Sequence, residues 1–369
     1  MKIEKFTISR DPQWYHAWPD VVLAPNGTLI CVFNECTHHC CRKHTRIMLC
    51  ESADRGRTWT PKHPLTEAAD GLDYYYNCPR IFTLPGGRLG VIVDSIPASG
   101  EGGDGMKNAV NAIYFSEDNG KTWSFPEVLP LRGIVPDKIH VLDNGRFLAS
   151  AQYLHEGKLS QFLRYSDDCG KTWSDEILLA HDPRYDLCEV SLLPMGGGVV
   201  AAFLRENSCR GLDCFKTLSF DNGETWGPVT EFPLPGCHRP VTGFLRDGRI
   251  FITYRFHQGG AGGMGGSSQN FFCAVTDRES VLAETRKQAR TRIIPIDYDS
   301  AAKADLGYSG WVQFSDGEIY IVSYIVDDMV ERGQIRGYAV DLGHKMPGTC
   351  CACCPTPEIG TVKCGKNPE

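Results

Sequence analysis

The eight-residue pattern Ser-x-Asp-x-Gly-x-Thr-Trp occurs four times in this chain and constrains its fold more than any bulk property. The copies are SADRGRTW (52–59), SEDNGKTW (116–123), SDDCGKTW (166–173) and SFDNGETW (219–226). Self-similarity at such a spacing marks an array of supersecondary units that bury a shared core. The residue types describe a tight hairpin. Asp accepts hydrogen bonds from turn amides, and Gly takes a positive φ without steric penalty. Thr and Trp are expected to open the following strand, with the indole packed between neighbouring units. The pattern is read as structural, not chemical.

A second repeat precedes each copy, and it extends beyond them. Six segments pair two apolar runs across an Asn/Asp-Gly or Gly-Gly turn, the signature of a hairpin. They are 21–33, 81–93, 139–151, 190–203, 241–254 and 311–324. The eight-residue pattern is the Asp-box, and the chain resembles the sialidase superfamily of propellers. That resemblance, with six hairpins, implies an all-β, six-bladed β-propeller of four-stranded antiparallel blades. Each blade reads as strand A, turn, strand B, top loop, strand C, Asp-box and strand D. Blade 5 keeps only Thr276-Asp277-Arg278 of its box. Blade 6 has no box, and its outer strand is expected from Lys2–Ser9, closing the ring and removing exposed sheet edges. The propeller is placed at 1–343 and a cysteine-rich tail at 344–369. Gly259–Ser268 reads as a top loop of blade 5 and not as a phosphate cradle, since no helix follows it.

Composition matters mainly for what it excludes. A net charge of −7 with no basic tract argues against nucleic acid as a partner. No apolar run approaches the roughly 20 residues that span a bilayer, so no membrane partner is expected. The start Met1-Lys2-Ile3-Glu4-Lys5 lacks a signal-peptide apolar stretch, which gives the cytoplasm as the expected location. Seventeen cysteines, an odd count lying mostly singly in apolar segments, fit buried free thiols better than a disulfide framework. The tail Cys350, Cys351, Cys353 and Cys354 has overlapping CxxC spacings, but no second ligand pair follows, so no metal is assigned.

The topology locates the chemistry. Strand A starts and strand B ends at one mouth, opposite the Asp-boxes. Entrances there offer His16, Trp18, Asp20, Asn77, Arg80, Asp137, Lys138, Glu189, His238, Arg239 and Tyr308. Exits offer Glu35, Asp94, Gln152, Arg205, Arg255, His257 and Tyr324. So many charges at one rim call for a polar ligand or mutual pairing.

Leu306-Gly307-Tyr308-Ser309 resembles the sialidase segment that carries a tyrosine nucleophile. Glu189 opening blade 4, with Arg205 closing the next strand, resembles the family's Glu and strand-end Arg. The resemblance implies Tyr308 as nucleophile, Glu189 as its base and arginines on a substrate carboxylate. A neutral tyrosine avoids the repulsion that a carboxylate nucleophile would meet beside an anomeric carboxylate, but with an ordinary pKa of about 10 it needs a base. Arg205, Arg239 and Arg255 are the expected carboxylate ligands, with Arg80 as a further one, because guanidiniums grip carboxylates bidentately. No cofactor is needed.

Blade 1 departs from the family. Ala17 stands where an arginine is usual, two residues before a proline. The top loop, Cys36–Thr45, has no Asp but carries His38, His39 and His44. The candidate proton donors are therefore Asp20, Glu35 or one of these histidines, and His39 is also expected to bind substrate. The first reading is an exo-acting glycosidase releasing a terminal sialic acid or related acidic sugar from a glycan. A propeller glycosidase or polysaccharide lyase using a rim histidine, and a non-catalytic carbohydrate-binding propeller, are the alternatives.

Overall fold

The turn chemistry of five of the six hairpins is one pair of hydrogen bonds repeated in three dimensions. In blade 1, Ala24 N donates to Thr28 O at 2.9 Å and Gly27 N to Ala24 O at 2.9 Å. Leu84–Arg88, Leu142–Arg146, Leu245–Arg249 and Phe314–Glu318 repeat that pair of bonds. The structure is a computed structural model, and it describes residues 1–98, 107–259 and 268–343. The cysteine-rich tail and most of the glycine-rich loop therefore lie outside the described residues.

β1 is Lys2–Ser9. Blade 1 consists of β2 (Tyr15–Leu23), β3 (Leu29–His38), β4 (Cys41–Ser52) and β5 (His63–Pro64). Blade 2 is β6 (Tyr74–Thr83), β7 (Leu89–Pro97), β8 (Val110–Ser116) and β9 (Glu127–Leu129). Blade 3 is β10 (His140–Val141), β11 (Phe147–His155), β12 (Lys158–Ser166) and β13 (Ile177–Ala180). Blade 4 is β14 (Leu187–Gly196), β15 (Val199–Glu206), β16 (Asp213–Ser219) and β17 (Thr230–Pro235). Blade 5 is β18 (Cys237–Phe244), β19 (Ile250–His257), β20 (Gln269–Thr276) and β21 (Arg292–Tyr298). Blade 6 is β22 (Leu306–Gln313), β23 (Ile319–Ile325) and β24 (Gln334–Asp341), with β1 as its outer strand. The two chain ends thus pair antiparallel, Lys2 opposite Asp341 and Phe6 opposite Gly337, and close a six-bladed ring.

Each Asp-box is one hydrogen-bonded unit. In the first, Ser52 Oγ donates to Asp54 Oδ1 at 2.8 Å and accepts from Gly56 N at 2.8 Å. Thr58 donates to Asp54 through both its amide and its hydroxyl. Arg55 and Gly56 are both left-handed, with φ of 62° and 84°. A Cβ on Gly56 would also sit 2.2 Å from the Tyr320 ring of blade 6. Thr and Trp do not open the outer strand, as the sequence had suggested. That strand begins four residues after each Trp, at His63, Glu127, Ile177 and Thr230, because the Thr is tied back to the box Asp. In blade 5 the surviving Asp277 instead caps a short helix, α1 (Arg278–Leu282), accepting from Ser280 N at 2.8 Å.

The core lies between blades, where apolar faces of adjacent sheets meet. Phe203 and Phe232 of blade 4 pack edge to face at 5.2 Å and join Ile252, Tyr254 and Ala274 of blade 5. Phe203 has no exposure. Phe203→Ala is expected to cost about 3–5 kcal/mol through lost burial and a cavity, measured as a lower midpoint in chemical denaturation. A shift under about 1 kcal/mol would mean the two blades repack freely. All twelve described cysteines are free, and eight of them are buried among these apolar faces.

Candidate active site

Five of the six inner strands carry one extra residue at the same register point. The shifts fall between Ala17 and Asp20, Asn77 and Arg80, Cys188 and Ser191, His238 and Val241, and Gly307 and Ser309. The bulged residues are Trp18, Cys78, Glu189, Arg239 and Tyr308, all non-glycine and all left-handed, with φ between 38° and 52°. Such backbone costs of order 1–3 kcal/mol per residue and collects where a site needs a side chain re-aimed. Here the bulges turn five side chains toward the ring's mouth. Blade 3 lacks one: its inner strand is only β10, and at the mouth a lone Ile134–Gln152 bridge replaces the ladder.

Four of the five bulged residues, Trp18, Cys78, Glu189 and Tyr308, line one cavity of about 270 Å³. That size suits a single sugar residue. Arg80, Arg205, Gln152 and Asn207 share its wall, as do His39, Arg42 and Tyr75 from the blade 1 and blade 2 rims. Glu189 is the only carboxylate on that wall among the described residues. A larger groove of about 750 Å³ lies on the opposite face, between the A–B turns of blades 5 and 6, with Arg249 and Asp247 already paired there.

The Tyr308 hydroxyl donates to Glu189 Oε1, and Arg205 Nη1 donates to Glu189 Oε2 at 2.7 Å. The Glu189 amide donates to Gln152 Oε1, which fixes the bulge. Burial alone would push the Glu189 pKa up, but the Arg205 and Arg255 guanidiniums hold it down to about 2. Burial, and then Glu189 itself, push the Tyr308 hydroxyl well above 10. The pair is therefore a neutral phenol hydrogen-bonded to an ionised carboxylate.

Positive charge surrounds that pair. Arg80, Arg239 and Arg255 stand 5.5, 5.6 and 5.8 Å from the Tyr308 ring centre. All three are buried, at 3%, 2% and 1% exposure. Among the described residues, Arg80 Nη2 has no hydrogen-bond acceptor, and neither has Nε of Arg239 or Arg255. Burial, and then neighbouring Arg80, lower the Arg239 pKa. Guanidiniums crowded this closely favour an anion between them.

Of the nine residues expected from sequence, Tyr308, Glu189, Arg205, Arg80 and His39 share the cavity wall. Arg239 and Arg255 are not on that wall, with their guanidiniums over the Tyr308 ring at 5.6 and 5.8 Å. Asp20 and Glu35 are not among the residues that line the cavity. Both Asp20 oxygens accept backbone amides, from Val21 at 2.9 Å and from Ile81 of blade 2 at 3.0 Å. Asp137 bridges blades 3 and 4 in the same way through Lys138 and Leu192. Glu35 is buried in an ion network with Lys62 at 2.5 Å, Arg46 at 2.6 Å, His16 and His44. Burial would raise its pKa, but those partners hold it far below the carboxylate range. Burial raises the Asp20 pKa against the pull of Lys138 and Arg80.

Three residues escaped sequence reasoning. Arg42 stacks 3.9 Å over the Trp18 ring and donates to Asn77 Oδ1, in the blade 1 loop where only histidines drew notice. Asp305 lies just before Tyr308 in sequence and accepts from Tyr15 and Tyr324 hydroxyls at 2.5 and 2.7 Å. Cys78 is a bulge residue that its apolar character disguised.

Among the described residues, two groups of donors lie close enough to invite a metal. Asp11, His16 and Glu35 are already bridged by Lys62 Nζ, 2.5 Å from both carboxylates. Cys209, His238 and His257 lie within 4.8 Å, but the two imidazoles stack in parallel at 4.7 Å. Their in-plane lone pairs therefore do not converge on one point.

Comparison with known proteins agrees with this architecture. Residues 27–321 match the model of the BNR repeat-like domain. A sialidase of Paraclostridium sordellii is 27% identical over 175 residues, 38% of this chain and 43% of that protein. The chain thus matches less than half the length of this curated relative. Among solved structures, a Dyadobacter fermentans protein of unknown function superposes with a TM-score of 0.73 at 20% identity, covering 91% of this chain and 98% of that one. The Hadza microbial sialidase Hz136 gives 0.66 at 15% identity, over 89% and 66%.

Proposed function

The chain belongs to the BNR repeat-like family, Asp-box propellers of the sialidase superfamily, and from that premise we propose that it is an exo-acting, retaining glycoside hydrolase for a terminal sialic acid or related sugar acid. The observation that carries the reading is the Tyr308–Glu189–Arg205 chain of hydrogen bonds on the wall of an arginine-ringed cavity. The sialidases among its relatives support the substrate class.

In this scheme the sugar's carboxylate sits against Arg80 and Arg205. Arg239 and Arg255 add positive potential over the Tyr308 ring. Tyr308 Oη attacks the anomeric carbon as its proton passes to Glu189, while the glycosidic C–O bond breaks. The glycosyl–tyrosine so formed is then cut by water, and Tyr308 regains the proton from Glu189. Two displacements at one carbon give net retention. The cavity of about 270 Å³ has room for one sugar unit, which favours cleavage from a chain end.

The test is a panel of aryl glycosides that includes several nonulosonic acids, followed by proton NMR. Release of the sugar acid with its starting anomeric configuration is expected. An unsaturated product absorbing in the near ultraviolet would identify a lyase instead. Saturable sugar binding without turnover would identify a binding propeller.

A further inference from the structure

The two displacements need a group that protonates the leaving oxygen and later deprotonates water, and among the described residues the wall holds no aspartate for this. We propose that His39 is that general acid and base, with Asp305 as its positioning residue; the assignment rests on the glycosidase reading above. His39 sits at the tip of the β3–β4 hairpin, where His38 pairs with Cys41, and it lines the same cavity as Tyr308. Its Nδ1 lies 2.5 Å from Asp305 Oδ2. A carboxylate on Nδ1 fixes the proton there and leaves Nε2 to exchange a proton with a ligand.

The support is built in depth. Asp305 is gripped on Oδ2 by the Tyr15 hydroxyl and on Oδ1 by the Tyr324 hydroxyl. Its amide donates to Asp299 at 2.9 Å. Burial would push the Asp305 pKa up, but His39 and the two phenols keep it below the usual value. It is thus held ionised, as an orienting carboxylate must be. Trp18 meets the His39 ring edge-on at 5.1 Å, and Arg42 Nε donates to the His39 carbonyl at 2.8 Å. The neighbouring His38 feels Arg332 and Glu331, and His44 of the same loop pairs with Asp70 and Glu35. The half-exposed imidazole is thus held by a carboxylate and an indole, with two phenols fixing the carboxylate and an arginine fixing the loop backbone.

The step balances simply. In the first displacement Nε2–H gives its proton to the glycosidic oxygen as the C–O electron pair leaves with that oxygen. In the second, Nε2 takes a proton from the attacking water.

The experiment compares kcat/KM on sialyllactose and on a nitrophenyl sialoside, whose phenolate departs without protonation. His39→Gln is expected to lose roughly 10²–10⁴-fold on sialyllactose, with the nitrophenyl loss smaller by about 100-fold. Asp305→Asn shows the same split at lower amplitude, and Asp305→Glu recovers part of it. Should His39→Gln fail to fold, the split in Asp305→Asn decides. Equal losses on both substrates would overturn the acid–base role and leave the glycosidase reading standing. A wild-type protein that cleaves neither of these substrates nor any sugar-acid glycoside of the panel overturns both.

Discussion

Tyr308→Phe is expected to lower kcat/KM on any accepted sugar acid by about 10⁴-fold or more, with the fold intact. The substitution removes one atom. The ring keeps its place among Arg80, Arg239 and Arg255, whose guanidiniums stand 5.5 to 5.8 Å from its centre. The bulge at φ 48° is a property of the backbone and its register with β23, which phenylalanine shares. What disappears is the hydroxyl bonded to Glu189 and, with it, the only atom able to form the covalent intermediate. Binding of the free sugar acid, which depends on the arginines, should change by no more than a few-fold. Calorimetric titration and turnover measured on one preparation therefore separate the two roles. Retention of even a tenth of wild-type turnover would remove Tyr308 as nucleophile.

Much of this site was legible before coordinates, for a definite reason. The hairpin repeat fixes which residues start A strands and end B strands, so Glu189, Arg205, Arg80 and Tyr308 could be placed at one mouth from turn spacing alone. What spacing could not supply was the bulge. An extra residue in five inner strands changes which side chain faces inward, and no propensity rule marks Trp18 or Cys78 for a positive φ. Nor does polarity alone say which side chain lines the cavity. Asp20 and Glu35 are acidic and near the mouth, yet backbone amides of the next blade claim the first and a lysine–arginine–histidine network claims the second. Interblade stapling of this kind is invisible in one sequence. Asp305 was hidden because its partners, His39, Tyr15 and Tyr324, come from three separate strands or loops.

Glu189→Gln should reveal how much stability is stored in the site's charge arrangement. Gln keeps the shape of Glu and can still accept from Tyr308, but it leaves Arg205 and its buried neighbours without the counter-ion that bonds at 2.7 Å. Breaking one side of a buried pair costs about 3–5 kcal/mol. The sign of its pH dependence follows from the carboxylate. Glu189 titrates near 2 in the folded protein, below an unfolded value of about 4.3. Its contribution is fully present above that unfolded value and is lost as pH falls through 2, amounting to about 3 kcal/mol. The gap in unfolding free energy between wild type and Glu189→Gln should accordingly be widest at neutral pH and close progressively from about pH 5 downward. Other acid effects are common to both proteins and cancel in the difference. A free sugar acid brings its own carboxylate to the same guanidiniums, so it should raise the variant's melting temperature by more than it raises the wild type's. A gap that stays constant with pH would show that Glu189 is held by packing and not by charge, and the arginine-ringed cavity would then lose its claim to bind an anion.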